Sequence, residues 1–442
     1  MFARRVFVAA AVLLAAAAAA PCQTYLLTET VQTGDCFHLT LDMKLTGEIH
    51  VRKGDAAAKL KVTAIGSHEY PERVLVVSDG VAQKTARIYE TAKAVVTVGA
   101  DATERTLRPE RRLVVAQRDK EQLVVYSTGG AFTQEELELA HDHFDTLALP
   151  GLLPGKAVAV GDTWKITNSI TQAVCNFEGV TEQKLTGKLE SVKEDTAVFS
   201  ISGTANGIDQ GAMVKMVVAA TGKFDLKAKR LTSLEWKQND DREQGPVSPA
   251  STVEATTTVV RKVIDQPASL SDVALVSVPS EAPPTGLVQL DCHDAKGRFS
   301  FLYNREWQIT SQTNDHVILR LMDNGDFVAQ ATVTPWTPAE KGMHLTPEAF
   351  REAMDNTPGW SPEKELQAGE APAPEGRWIY RISMVGKMDD VAVLQNFYLV
   401  AAPGGEQMVV AVTLTPKQAE KLGARDLALV GGIDLPATVE KK

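Results

Sequence analysis

Cysteine is scarce, with four in 442 residues, and Cys22, Cys36, Cys175 and Cys292 lie too far apart to form a C-x-x-C pair. That excludes a zinc ribbon and a thioredoxin-type redox site. Basic charge is also short: 46 Lys and Arg stand against 56 Asp and Glu, a formal net charge of -10. No Lys/Arg-rich face interleaves with aromatic residues, so the phosphate attraction that drives nucleic-acid binding is missing. Past the N-terminus no apolar run approaches the ~18–20 residues that cross a bilayer, and no transmembrane segment is expected in the mature chain. The sequence holds no G-x-S-x-G elbow, no P-loop and no G-x-G-x-x-G turn. The expectation is therefore a non-enzymatic protein without a cofactor.

What is present begins with MFARRVFVAAAVLLAAAAAAPCQ. Arg4 and Arg5 form a basic start, an apolar stretch follows from Val6 to Ala20, and small residues stand at the cleavage position. Residues 1–20 thus read as a signal peptide cut near Ala19, and the mature chain as extracytoplasmic, in the periplasm or secreted. Arg4-Arg5-Val6-Phe7 leaves both the general secretory and the twin-arginine routes open. Pro21 occupies a position where lipid attachment favours Gly, Ala or Ser, which argues against an anchor at Cys22.

From 24 to 265 the residues alternate with period two, as in Phe37, Leu39, Leu41, Met43 and Leu45, and this predicts an antiparallel β-rich domain, a curved sheet or half-barrel. Strands are expected at 84–90, 93–98, 110–117, 122–127, 164–175, 182–192, 196–202, 212–220, 231–238 and 252–263. Gly54-Asp55, Asp79-Gly80, Gly129-Gly130, Asn206-Gly207 and Gly222-Lys223 are the expected turns. Thr133 and Glu136 have capping-box spacing and open one helix before Pro150. Four prolines between 266 and 287 mark an interdomain linker. The segment 288–436 mixes strands at 316–322, 327–334, 376–386, 391–402 and 407–414 with helices at 346–355 and after Pro416; 357–375 reads as loop. The whole is an α+β protein with a β-rich N-terminal half.

The second domain carries FSFLYNREWQI, VAQATV, LTPEAFREAM and YLVAAPGGEQMVVAVTLTP. In these it resembles the PsbP-like fold, the family of the extrinsic PsbP subunit of photosystem II and of DcrB-type periplasmic lipoproteins, with Asn304 where the family's opening has Pro. The resemblance covers about a third of the chain and implies an α/β/α sandwich that binds or supports other proteins at membranes, with no catalytic residues to carry over. The first domain, through Leu152-Leu153-Pro154-Gly155 and Val160-Gly161-Asp162-Thr163-Trp164, is similar to exported bacterial β-rich proteins, and more loosely to the half-barrel carriers of lipoproteins and lipids.

The candidate binding residues are Trp336 and Trp360, as aromatics of a ligand groove, and Arg108 and Arg111, from the basic cluster that includes Arg105 and Arg112. Core packing and salt bridges to the interleaved Glu104 and Glu110 are the competing readings. His141, His143 and Asp145 are the metal-capable group, His141 and Asp145 being one helical turn apart; a solvated helix end, where His also meets the C-terminal dipole, is the favoured reading. His68-Glu69 fails as H-E-x-x-H because position 72 is Glu and Pro71 breaks a helix. Cys292-His293-Asp294 cannot form a triad alone, since neighbours on a strand face opposite ways. Three functions are expected in order: an exported protein binding an envelope protein or an apolar ligand, a metal-dependent hydrolase using His141 and His143, and a structural envelope component.

Overall fold

The computed structural model describes residues 23–53, 56–119, 122–141 and 145–436. Residues 1–20, read as a signal, lie outside these, as do Cys22, the expected turn Gly54-Asp55 and His143. Strands make up 56% and helices 13% of the chain, in antiparallel sheets that are all open. The protein is a β-rich two-domain α+β molecule.

The first sheet has fourteen strands. Its spine runs Thr163–Lys165, Thr186–Lys193, Thr196–Asp209, Ala212–Asp225, Arg230–Arg242, Ala250–Val263, Cys36–Lys53, Ala56–Ser78, Val81–Ile88, Leu113–Asp119, Gln122–Ser127. Ala212–Asp225 alternates buried and less buried residues along its whole length, so one face of the sheet is a core and the other is solvated. Three short helical segments, Gln134–Ala140, Thr146–Leu152 and Asn168–Val174, join that core through Leu139, Leu149, Leu152 and Val174. The first of them has the predicted capping box: the Glu136 N–H donates to Thr133 Oγ1 and the Glu136 carboxylate accepts from the Thr133 N–H.

In the second domain, Leu290–His293, Ser300–Tyr303 and Ile433–Asp434 form a small sheet. A seven-stranded sheet runs Trp307–Gln312, Val317–Asp323, Asp326–Trp336, Gln407–Leu414, Val391–Ala401, Trp378–Met388, Trp360–Glu370. The helix Pro347–Asp355, capped by Thr346, covers one face through Phe350 and Met354. The helix Arg425–Gly431 adds Leu429 and Val430 to the core of the other face. The two domains share that core, and Arg305 Nη2 spans them by donating to the Val125 carbonyl at 2.7 Å.

Four expectations about local structure change. The segment 164–175 is a three-residue strand followed by the helix Asn168–Val174, and the four-residue spacing of Ile166, Ile170 and Val174 carries that period. Asn206-Gly207 and Gly222-Lys223 do not turn, because both glycines lie inside strands. A Cβ on Gly207 would stand 2.4 Å from the Phe177 ring, and one on Gly222 would stand 2.2 Å from the Phe199 ring. These glycines admit aromatic rings against the backbone. The expected loop at 357–375 holds the strand Trp360–Glu370, a mostly exposed, charged edge strand with no buried face to produce alternation. The Pro-rich segment 266–287 is tied down as well: Leu270 and Leu275 pack against Ala86, and Arg73 Nη1 donates to the Leu270 carbonyl at 2.9 Å.

Candidate functional site

Strand Arg230–Arg242 sends alternate side chains into the first sheet's core. Leu234 and Trp236 are fully buried, and the same row continues as Gln238, Asp240 and Arg242. The row keeps its face while its chemistry turns from apolar to polar. Trp236 donates its indole N–H to Gln238 Oε1 at 2.9 Å, and the Gln238 amide donates to Asp240 Oδ2 at 2.7 Å. Arg242 Nη1 donates to Asp209 Oδ2 at 2.7 Å and Nη2 to the Asp209 carbonyl at 2.8 Å. Two atoms of the row are left over: Asp240 Oδ1 and Arg242 Nε are buried without a hydrogen-bond partner.

Register places Met216 and Val253 directly beside Asp240 on the flanking strands. Together with Met43, Val214 and the turn Cys175–Phe177 they enclose a pocket of about 280 Å³. Burial pushes the Asp240 carboxyl up to about 6, against the hydrogen bond from Gln238, and the charge of Asp209 adds to the rise. Asp209 is raised by burial too, with Arg242 opposing, and Glu178 moves the same way, chiefly through burial. A buried polar atom without a partner costs about 1–3 kcal/mol, and a carboxylate oxygen left so beside an opening is suited to accept from a bound donor.

Elsewhere the buried face of the first sheet is packed. Leu147, Ala148, Leu149 and Leu152 are buried there, and the Leu152 carbonyl accepts the Trp164 indole N–H at 2.9 Å. Two crevices of about 500 and 590 Å³ lie where the domains meet and share Arg305, whose guanidinium burial pushes down to about 10. The larger crevice holds the unpartnered Gln117 Oε1 and Arg305 Nε, and the smaller pocket the unpartnered Asp240 Oδ1 and Arg242 Nε; of these two, only the smaller pocket has a carboxylate as its acceptor.

The residues singled out by sequence lie elsewhere. Arg108 grips Glu136 with Nε and Nη2, each at 2.7 Å, and Arg111 Nε donates to the Ala131 carbonyl at 2.9 Å; both fasten the entry to the helix Gln134–Ala140. Trp360 is only 5% exposed and packs with Phe350 and Phe397, so it is core rather than surface. Trp336 is half-buried against the same cluster. His141 caps its helix, its N–H donating to the Leu137 carbonyl at 2.8 Å. Both oxygens of Asp145 are engaged, Oδ1 by the Leu147 N–H and Oδ2 by Arg118.

His68 points inward and bonds to the Leu139 carbonyl at 3.0 Å. His293 pairs with Asp291 at 2.7 Å, Asp294 with Arg298 at 2.8 Å, and burial, with the charges of Asp291 and Asp294, pushes the Cys292 thiol up to about 12. Cys36, Cys175 and Cys292 are all buried free thiols. No helix among the described residues is long and apolar enough to cross a membrane.

No family model and no curated protein matches the chain. Among solved structures, lipovitellin is similar over 54% of this chain and 26% of its own, at 9% identity and a TM-score of 0.31. The chain therefore spans about a quarter of that structure's length. Cyanobacterial PsbP from Synechocystis is similar over 36% of this chain and 98% of its own, at 10% identity and a TM-score of 0.27. The Ran-binding protein Mog1p of Saccharomyces cerevisiae is similar over 33% of this chain and 95% of its own, at 10% identity and a TM-score of 0.25. These are likenesses of fold at low similarity and place no residue of a site.

Proposed function

We propose that this is an exported, non-enzymatic binding protein whose first sheet takes a small amine with a short apolar tail. The ammonium would meet Asp240 Oδ1, and the tail would lie on Met43, Val214 and Met216. The unpartnered Asp240 oxygen beside the pocket carries this reading. The pocket's volume, about 280 Å³, falls just below the ~300–1,000 Å³ of drug-sized sites, which favours a ligand of few heavy atoms over a lipid. The N-terminal signal pattern supports work in the cell envelope.

Trp236 reports on the site through Gln238, so intrinsic fluorescence can follow a titration with n-hexylamine, using n-hexanoate as the control. A saturable response to the amine that Asp240→Asn lowers at least tenfold in affinity is the expected result. Equal responses to amine and carboxylate, or an unchanged Asp240→Asn protein, would overturn the proposal.

A further inference from the structure

We propose that the solvated face of the first sheet carries a divalent transition-metal site made by His38, Glu69 and Glu90. It shares no residue with the amine pocket. The three ligand atoms lie within 4.8 Å of one another, the one such group among the described residues. His38 stands on strand Cys36–Lys53, Glu69 on Ala56–Ser78, and Glu90 in the turn after Val81–Ile88.

The distances favour a shared ion over direct bonding. His38 Nε2 is 3.5 Å from Glu90 Oε2 and 3.7 Å from Glu69 Oε1. Both exceed the ~2.7–3.2 Å of a good hydrogen bond. A tetrahedral zinc with ligands at about 2.0–2.2 Å has donor atoms roughly 3.3–3.6 Å apart, close to this spacing. One imidazole with two carboxylates suits zinc or its first-row neighbours, whereas an all-oxygen shell would suit calcium or magnesium.

The backbone holds the carboxylates where they are. The Glu90 N–H donates to the Glu69 carbonyl at 2.9 Å, and the Tyr89 N–H to the Arg112 carbonyl at 3.0 Å. Tyr89 itself is 1% exposed, which anchors the turn. Two glutamates are thus brought together although their charges repel. Lys262 lies in register beside His38, yet no ion pair joins it to either glutamate among the described residues. Small or stiff neighbours, Thr40, Pro71 and Thr91, flank the group and leave its outer side accessible.

Calorimetric titration of the full mature chain with zinc chloride at pH 7.5, with and without excess magnesium, tests the site. One equivalent should bind with micromolar affinity undisturbed by magnesium. His38→Ala and Glu90→Gln, which alter a half-buried and an exposed side chain, should each lower the affinity at least tenfold while leaving the melting temperature of the metal-free protein within a few degrees. Absence of binding would overturn the proposal, as would binding that survives both substitutions or is displaced by magnesium.

Discussion

Two aspartates that face a core, one in each domain, show how differently the sheets treat a carboxylate. Asp426 in the second domain is 1% exposed and its oxygens are engaged: Asn396 Nδ2 and the Tyr398 hydroxyl each donate at 2.7 Å, and the Leu427 N–H donates at 2.9 Å. Asp240 in the first domain has one oxygen satisfied by Gln238 and the other left bare beside a pocket. The first arrangement is a finished structural network, which rigidifies a core; the second is an unfinished one, which has something left to offer a ligand. The surroundings follow the same division. The seven-stranded sheet is covered on both faces, whereas the fourteen-stranded sheet ends its buried row in polar side chains around an opening.

The strongest challenge to this contrast is Trp360→Ala. If the second sheet's front face is core, the loss should be about 3–5 kcal/mol in urea unfolding, the usual range for a deleted buried aromatic. Hexylamine affinity should not change. A loss below about 1 kcal/mol would mean that Trp360 belongs to a surface groove after all.

Asp426→Ala comes next. It strands the Tyr398 hydroxyl and the Asn396 amide in the core, at a combined cost of about 2–4 kcal/mol. The same denaturation experiment measures it, and a near-neutral result would remove the structural half of the comparison.

Much of the fold was legible in the residues because burial on one face imposes a period. Thr133 and Glu136, the Thr346-Pro347 start and the alternation of 212–220 all signal their elements directly. The signals that misled were local ones overruled by packing. Gly207 and Gly222 have turn chemistry but serve as gaps for Phe177 and Phe199, and no spacing rule gives the position of a distant ring. The site was harder. The inward row of Leu234, Trp236, Gln238, Asp240 and Arg242 is visible as alternation, but a strand expected to stop at 238 cuts it where its chemistry changes. His38, Glu69 and Glu90 are brought together by strand register and a turn. Arg108 and Trp360 stood out as unusual residues, yet each is consumed by the fold, one by Glu136 and the other by the core.

The smallest expected effect bears most directly on the open carboxylate. Folding raises the Asp240 carboxyl from an ordinary 3.8 to about 6, so the folded chain holds that proton more tightly than the unfolded one. Its contribution is then fully present at pH below about 4 and is lost as pH climbs through about 6. Asp209 and Glu178 are raised as well and face the same region, with Arg242 opposing both, so the slope of the wild-type protein alone is shared among them. The difference between wild type and Asp240→Asn isolates Asp240. Relative to the variant, the wild-type protein should lose stability between pH 4.5 and 7.5, and at pH 7.5 the variant should be at least as stable, because an amide needs no buried charge. Hexylamine binding should run the opposite way, tightening in the wild type as Asp240 ionises through the same window and staying flat in the variant. Parallel stability curves for the two proteins would show that Asp240 is as well satisfied as Asp426, and the distinction between the two domains would fall.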